Sequence, residues 1–209
     1  MKRWYLYPFS LVYHFVTAMR NRMYDWGIFS STKFKTPIIG VGNLSVGGSG
    51  KSPMVMYMAD LLSKNFRTGV LSRGYGRKTK GYGIVNYEST YKMVGDEAMQ
   101  LFERFRNRFV IGVCEDRVFG ARKIIDDMDL DVLLLDDSYQ HRRIKPGFNI
   151  LLTDYNDPYF KDFLLPAGNL RESRRGAKRA DLIVVTKCPE ILTEEKKQFY
   201  INKIKPRHY

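Results

Sequence analysis

The chain is 209 residues long and 44% apolar, enough to bury the core of one domain and too apolar for a disordered tail. Lys and Arg number 35 against 22 Asp and Glu, a net charge of +13 that favours anionic partners: phosphates, nucleic acid or lipid headgroups. The two cysteines, Cys114 and Cys188, stand far apart, which excludes a disulfide framework and a four-ligand zinc cluster and fits a reducing cytoplasm.

From Trp4 to Met19 no charged residue interrupts the chain, and Trp4, Tyr5, Tyr7, Phe9, Tyr13 and Phe15 make it heavily aromatic. A bilayer span needs ~20 predominantly apolar residues. This run is shorter and carries Pro8, Ser10, His14 and Thr17, so a transmembrane helix is rejected. A cleaved signal is rejected too, for want of a small-residue cleavage site ahead of Arg20 and Arg22. Pro8 suits a first helical turn, after which Leu11, Phe15, Met19, Met23 and Trp26 recur at helical spacing, widened by Val12 and Val16. Flanked by Lys2, Arg3, Arg20 and Arg22, this amphipathic helix fits the headgroup region of an anionic membrane; the same periodicity also fits a helix docked on the protein's own core.

Pro37 to Gly42 reads as a short buried strand, glycine-rich sequence follows, and Pro53 to Lys64 shows helical spacing. Further strands are predicted at Thr68 to Ser72, Phe109 to Val113, Val132 to Asp136, Asn149 to Thr153 and Leu182 to Thr186. Their Val, Ile and Leu runs lack polar alternation, the pattern of strands covered on both faces. Asp96 to Phe105 and Arg117 to Met128 read as helices. The predicted architecture is therefore α/β, a mainly parallel sheet with helices on both faces, preceded by the N-terminal amphipathic helix. The loops Arg73 to Lys80 and Arg171 to Arg179 are strongly basic.

Gly42-Asn43-Leu44-Ser45-Val46-Gly47-Gly48-Ser49-Gly50-Lys51-Ser52 lies between a predicted strand and a predicted helix, the context of a phosphate-binding loop. Gly47, Gly48, Ser49 and Gly50 let backbone N–H groups curl around phosphate oxygens, and the helix N-terminus adds a favourable partial charge. In this reading Lys51 reaches the β and γ phosphates and the Ser52 hydroxyl meets Mg²⁺. The strict pattern has glycine where Ser45 stands, and a plain Gly/Ser turn is the competing reading. Val132 to Leu135 then runs into Asp136 and Asp137, the usual shape of the acidic element that holds a nucleotide's Mg²⁺ at the carboxyl end of a strand. By themselves Asp96 and Glu97 read as caps at a helix start, His141 as a surface histidine, and Arg73 and Arg117 as solvated cations standing just after predicted strands.

Taken together, GNLSVGGSGKSP from Gly42 to Pro53, LSRGYGR from Leu71 to Arg77, VGDE from Val94 to Glu97, LDDSYQHR from Leu135 to Arg142 and LPAGNLRE from Leu165 to Glu172 resemble the tetraacyldisaccharide 4′-kinase family in order and spacing, over nearly the whole chain. The resemblance implies a P-loop NTPase-like kinase of lipid A biosynthesis that transfers the γ-phosphate of ATP to the 4′-hydroxyl of a tetraacyldisaccharide 1-phosphate. It implies ATP and Mg²⁺ as cofactors and peripheral, monotopic attachment to the anionic cytoplasmic face of a Gram-negative inner membrane, with no nucleic-acid partner. By motif position it implies Lys51 and Ser52 at ATP and Mg²⁺, Asp136 and Asp137 at the metal with Glu97 and Glu172 in support, and Asp96 as the base. Arg171 joins the catalytic groups, and Arg73, Arg117, Gln140 and His141 the nucleotide site.

Ser138 stands where the family often has glycine, and Asn169 and Ser173 replace common prolines. Family members continue into a second lobe bearing a histidine that assists the aspartate. The resemblance thus implies a membrane-associating segment at 1–30, a kinase domain at 31–190, and at 191–209 the start of a C-terminal lobe otherwise lacking, or a linker. Two other readings remain: another phosphate-loop enzyme, such as a GTPase or small-metabolite kinase, and a basic nucleic-acid-binding module. The chain has no Asn-Lys-x-Asp guanine-reading sequence and no recognisable RNA- or DNA-binding motif.

Overall fold

A computed structural model describes residues 3–204; Lys2 and His208 lie outside the described residues. In chain order the elements are α1 (Tyr7–Asp25), β1 (Ile38–Asn43), α2 (Lys51–Leu62), β2 (Thr68–Ser72), β3 (Gly83–Ile84), α3 (Tyr91–Val94), α4 (Asp96–Phe105), β4 (Val110–Val113), α5 (Arg117–Met128), β5 (Val132–Leu135), β6 (Phe148–Asp154), β7 (Leu182–Thr186) and α6 (Glu194–Ile204). The predicted bounds of β2, β7, α4 and α5 coincide with the observed ones, and the other predicted elements shift by one or two residues. The short elements β3 and α3, and α6, carry no apolar periodicity and were not predicted.

The chain divides into two compact units. One comprises Ser31–Val41 and Lys51–Phe148, the other Met1–Ser30, Gly42–Gly50 and Asn149–Tyr209. In the first, strands run in the order β3-β4-β2-β5-β1, all parallel except β3, which pairs antiparallel with β4. β2 and β5 are buried along their whole length, as their uninterrupted apolar runs require. Ile38, Leu71, Ile124, Leu133 and Leu135 form one core with Cys114, each large aliphatic side chain contributing ~1.5–3 kcal/mol by its burial. The Asp116 carboxylate caps α5 by accepting the N–H groups of Val118 at 3.0 Å and Phe119 at 3.2 Å, which sets Arg117 in the first helical position.

In the second unit β6 and β7 pair in parallel, Ile150 opposite Leu182. β6 is buried through its middle, but β7 is partly exposed along its length, contrary to expectation. Between it and helix α6 lies a mostly apolar cavity of about 340 Å³ lined by Leu182, Val185, Tyr200 and Ile201. Helix α1 inverts the usual amphipathic arrangement. Ser10 is buried and Tyr13, His14, Thr17 and Asn21 are half-buried, whereas Phe9, Leu11, Val12, Phe15, Val16 and Met19 are exposed. Of the predicted apolar stripe Met23 alone is half-buried, and Leu11, Val12, Phe15, Val16, Met19 and Trp26 are not docked on a core. Among the described residues no helix is long and apolar enough to cross a membrane.

Candidate active site

Within the first unit, charged groups gather where α2 begins and β5 ends. The Lys51 ammonium lies 3.6 Å from Asp137 Oδ1, and the Ser52 hydroxyl donates to Glu97 Oε1 at 3.3 Å. Asp136, the first residue after β5, is 3% exposed, and its Oδ1 is buried with no hydrogen-bond partner. Burial pushes its carboxyl up to about 7, the Glu97 and Asp137 charges push the same way, and Lys51 and Arg117 oppose them. Asp137 takes a left-handed φ of 46°, turning the chain so that the Ser138 N–H reaches the Val41 carbonyl at 3.2 Å.

Arg117 is also 3% exposed, so it is not a solvated cation. Its position at the start of α5 sends the guanidinium under the end of β5, where it donates to the carbonyls of Cys114 and Asp136. Burial brings its pKa down to about 10 despite the neighbouring Asp136 and Asp137 carboxylates. Arg73 is exposed, on the loop after β2, and its charge adds to the repulsion at Arg117.

Asp96 and Glu97 open α4, but neither is the residue that caps it; Gly95 is. Gly95 has φ 89°, and a Cβ there would stand 2.6 Å from the Tyr75 carbonyl oxygen, so only glycine lets the loop after β2 press against the start of α4. Asp96 is exposed and Glu97 half-buried. Gln140 and His141 sit half-buried in the turn after β5, the His141 N–H donating to the Ser138 carbonyl at 2.8 Å.

The oxygen-only donor set of Asp136, Asp137, Glu97 and Ser52, with one buried carboxylate oxygen unsatisfied, suits a hard cation. Among the described residues no three or more His, Cys, Asp or Glu side chains are grouped to hold a metal on their own.

In the second unit Gly47 and Gly48 are exposed, and Gly47 and Gly50 have φ of 117° and 82°. The Ser49 carbonyl accepts the Thr186 hydroxyl at 3.0 Å, and the Ser49 hydroxyl is buried without a partner. Arg171 is half-buried, its N–H donating to the Leu44 carbonyl at 2.8 Å. Both oxygens of Glu172 accept from Arg179, at 2.8 and 2.9 Å, and Asn21 adds a third bond at 3.0 Å. The first unit therefore joins Lys51, Ser52, Glu97, Asp136, Asp137 and Arg117, and the second joins the glycine loop to the Arg171 segment. Thr186, Asn21 and Arg179 were missed in the sequence; only Thr186 had a signal, its place at the carboxyl end of a predicted strand.

A family model described as tetraacyldisaccharide-1-P 4′-kinase matches residues 2–208. The tetraacyldisaccharide 4′-kinase of Flavobacterium johnsoniae is 48% identical over 192 residues, covering 91% of this chain and 56% of that protein. That of Bacteroides thetaiotaomicron is 45% identical over 188 residues, covering 89% and 49%. The chain thus spans about half the length of the curated relatives it matches. A crystal structure of LpxK from Aquifex aeolicus in complex with ATP matches with a TM-score of 0.82 at 40% identity, covering 93% of this chain and 63% of that one. Matched in sequence along residues 2–208 and sharing this mainly parallel α/β fold, the chain belongs to the tetraacyldisaccharide-1-P 4′-kinase family.

Proposed function

We propose that the chain carries the phosphoryl-transfer centre of an ATP-dependent lipid A 4′-kinase, which moves the γ-phosphate of ATP to the 4′-hydroxyl of a tetraacyldisaccharide 1-phosphate. The observation that carries this reading is the meeting of Lys51, Ser52, Glu97, Asp136 and Asp137 where α2 begins and β5 ends. The N–H groups from Gly47 to Ser52 and the positive end of α2 are offered to the phosphates. Lys51 exchanges Asp137 for the β and γ phosphate oxygens. Asp136 and Ser52, with Asp137 and Glu97 beside them, are the residues that would hold Mg²⁺, which offsets negative charge on the transferring phosphate.

Arg117 holds positive charge behind Asp136, and Arg73, Gln140 and His141 are assigned to the nucleotide side. Arg171 is assigned to the anionic acceptor. Glu172, its carboxylate committed to Arg179 and Asn21, is assigned to holding its own loop rather than to the metal. Asp96 takes the proton of the 4′-hydroxyl as that oxygen bonds to the γ-phosphorus and the bond to the bridging oxygen of ADP breaks.

Asp96→Asn keeps the size of the side chain and removes the proton acceptor. It is expected to lower kcat by about 10²–10⁴-fold while the ATP dissociation constant holds. Steady-state turnover together with calorimetric ATP titration checks this, and normal turnover would remove the base assignment.

The outer face of α1 supports peripheral attachment to the anionic cytoplasmic face of the inner membrane. Phe9, Phe15 and Val16 are 65%, 66% and 59% exposed, beside Arg20 and Arg22. Replacing these three by Ser is expected to weaken co-sedimentation with anionic vesicles at least about tenfold. The inner polar stripe stays intact in this variant, so an unchanged vesicle affinity would assign the aromatic face to something other than lipid.

A further inference from the structure

The inward stripe of α1 makes specific bonds to the LPAGNLRE segment. The Ser10 hydroxyl accepts the Ala167 N–H at 3.0 Å and donates to the Leu164 carbonyl at 3.1 Å. One turn on, the Tyr13 hydroxyl donates to the Arg171 carbonyl at 2.8 Å, and two turns beyond that Asn21 donates to Glu172 Oε2 at 3.0 Å. Thr17, between them, bonds back to carbonyls of its own helix.

The opposite edge of the same segment is held by backbone. Ser45 and Leu170 form an antiparallel bridge, the Arg171 N–H donates to the Leu44 carbonyl at 2.8 Å, and the Val46 N–H donates to the Asn169 carbonyl at 2.7 Å. Arg179 then closes a two-pronged ion pair on Glu172, whose side chain is only 5% exposed. Gly176 admits this pair, since a Cβ there would stand 2.9 Å from Glu172 Oε2. The backbone that carries Arg171 is therefore gripped between a helix far away in sequence and the residues that lead into Gly47–Gly50.

We infer that Tyr13 and Asn21 are positioning residues for phosphoryl transfer, fixing residues 169–172 through the Arg171 carbonyl and the Glu172 carboxylate so that the Arg171 guanidinium is presented to the anionic acceptor. This rests on the kinase reading above. It makes α1 a helix with two tasks on two faces: the outer aromatic face meets lipid, and the inner polar face sets a catalytic arginine. The element that docks on the membrane is thus the one that aligns a group needed by a membrane-borne substrate.

Tyr13→Phe removes one hydroxyl and Asn21→Ala one amide, and neither alters the outer face; the two variants are made separately so that one folded variant suffices. In the 209-residue chain, hydrogen exchange at the Arg171 and Val46 amides is expected to quicken about three- to tenfold, and kcat/KM for the tetraacyldisaccharide 1-phosphate to fall by a similar factor. The ATP dissociation constant and vesicle co-sedimentation hold, which separates positioning from general loosening. Unchanged exchange at both amides overturns the inference, and so does quickened exchange with unchanged kcat/KM. If the unsubstituted chain transfers no phosphate to that lipid, the claim that residues 1–209 suffice for transfer falls by itself, and the exchange rates alone then support or overturn the hold of α1 on residues 169–172.

Discussion

Lys51→Ala is expected to lower phosphoryl transfer by about 10²–10³-fold and to weaken ATP binding, with the circular dichroism spectrum unchanged. The side chain opens α2, is 13% exposed, and stands 3.6 Å from a carboxylate that is itself 35% exposed. A partly solvated pair of this kind contributes about 0–1 kcal/mol to folding. Losing this pair therefore costs the fold little, and Lys51 can exchange Asp137 for phosphate at a small cost in that pair. Two electrostatic effects then act in the same direction on the nucleotide: an attractive cation is lost, and the carboxylates of Glu97, Asp136 and Asp137 lose the cation that most lowers the Asp136 pKa. Calorimetric titration with Mg²⁺-ATP and steady-state turnover measure the two losses separately. If both were unchanged, Lys51 would have no part in the site.

Asp136→Asn is expected to act in opposite directions on stability and activity. The carboxyl of Asp136 is pushed up to about 7 by burial first and by Glu97 and Asp137 second. A carboxyl whose folded pKa lies above its unfolded value of about 3.9 holds the folded state together best when protonated, so metal-free protein should lose stability as pH rises from about 4 to 7. By neutral pH the loss is on the order of 4 kcal/mol, and the amide, with no charge to bury, avoids it. Thermal unfolding in the presence of a chelator should therefore show the variant more stable than the parent near pH 7.5, with the difference vanishing near pH 4. Transfer activity falls, because the amide replaces a carboxylate at the position assigned to Mg²⁺. A variant less stable than the parent at neutral pH would mean that the Asp136 charge is satisfied in the folded protein.

Much of the fold was legible because the relevant signals are short-ranged. Six apolar runs marked strands, since a parallel strand covered on both faces needs no polar alternation, and α4 and α5 were bounded correctly by helical spacing alone. β3 was not legible: two residues, Gly83 and Ile84, have no period, and they are a strand only because β4 offers an open edge. Nor was α6, whose polar sequence buries Tyr200 alone.

The candidate site divides in the same way. Lys51 and Ser52 are legible from Gly-Lys-Ser between a strand and a helix, and Asp136 and Asp137 from their place after an apolar run. The burial of Arg117 beneath them was not, because the spacing that opens a helix is the same for a solvated arginine as for a buried one. Likewise, Glu97 meets Ser52 across 45 residues of chain and Tyr13 meets Arg171 across 158, and no local pattern encodes either distance.

Helix α1 marks the boundary most clearly. Its sequence by itself determined that it is a helix with an apolar and a polar stripe, because a period of 3.6 residues follows from local backbone geometry. Which stripe faces inward was decided only by the tertiary structure. The Leu164 and Arg171 carbonyls, the Ala167 N–H and the Glu172 carboxylate need hydrogen-bond partners, and Ser10, Tyr13 and Asn21 supply them, so the polar stripe turned in and the aromatic one was left outside.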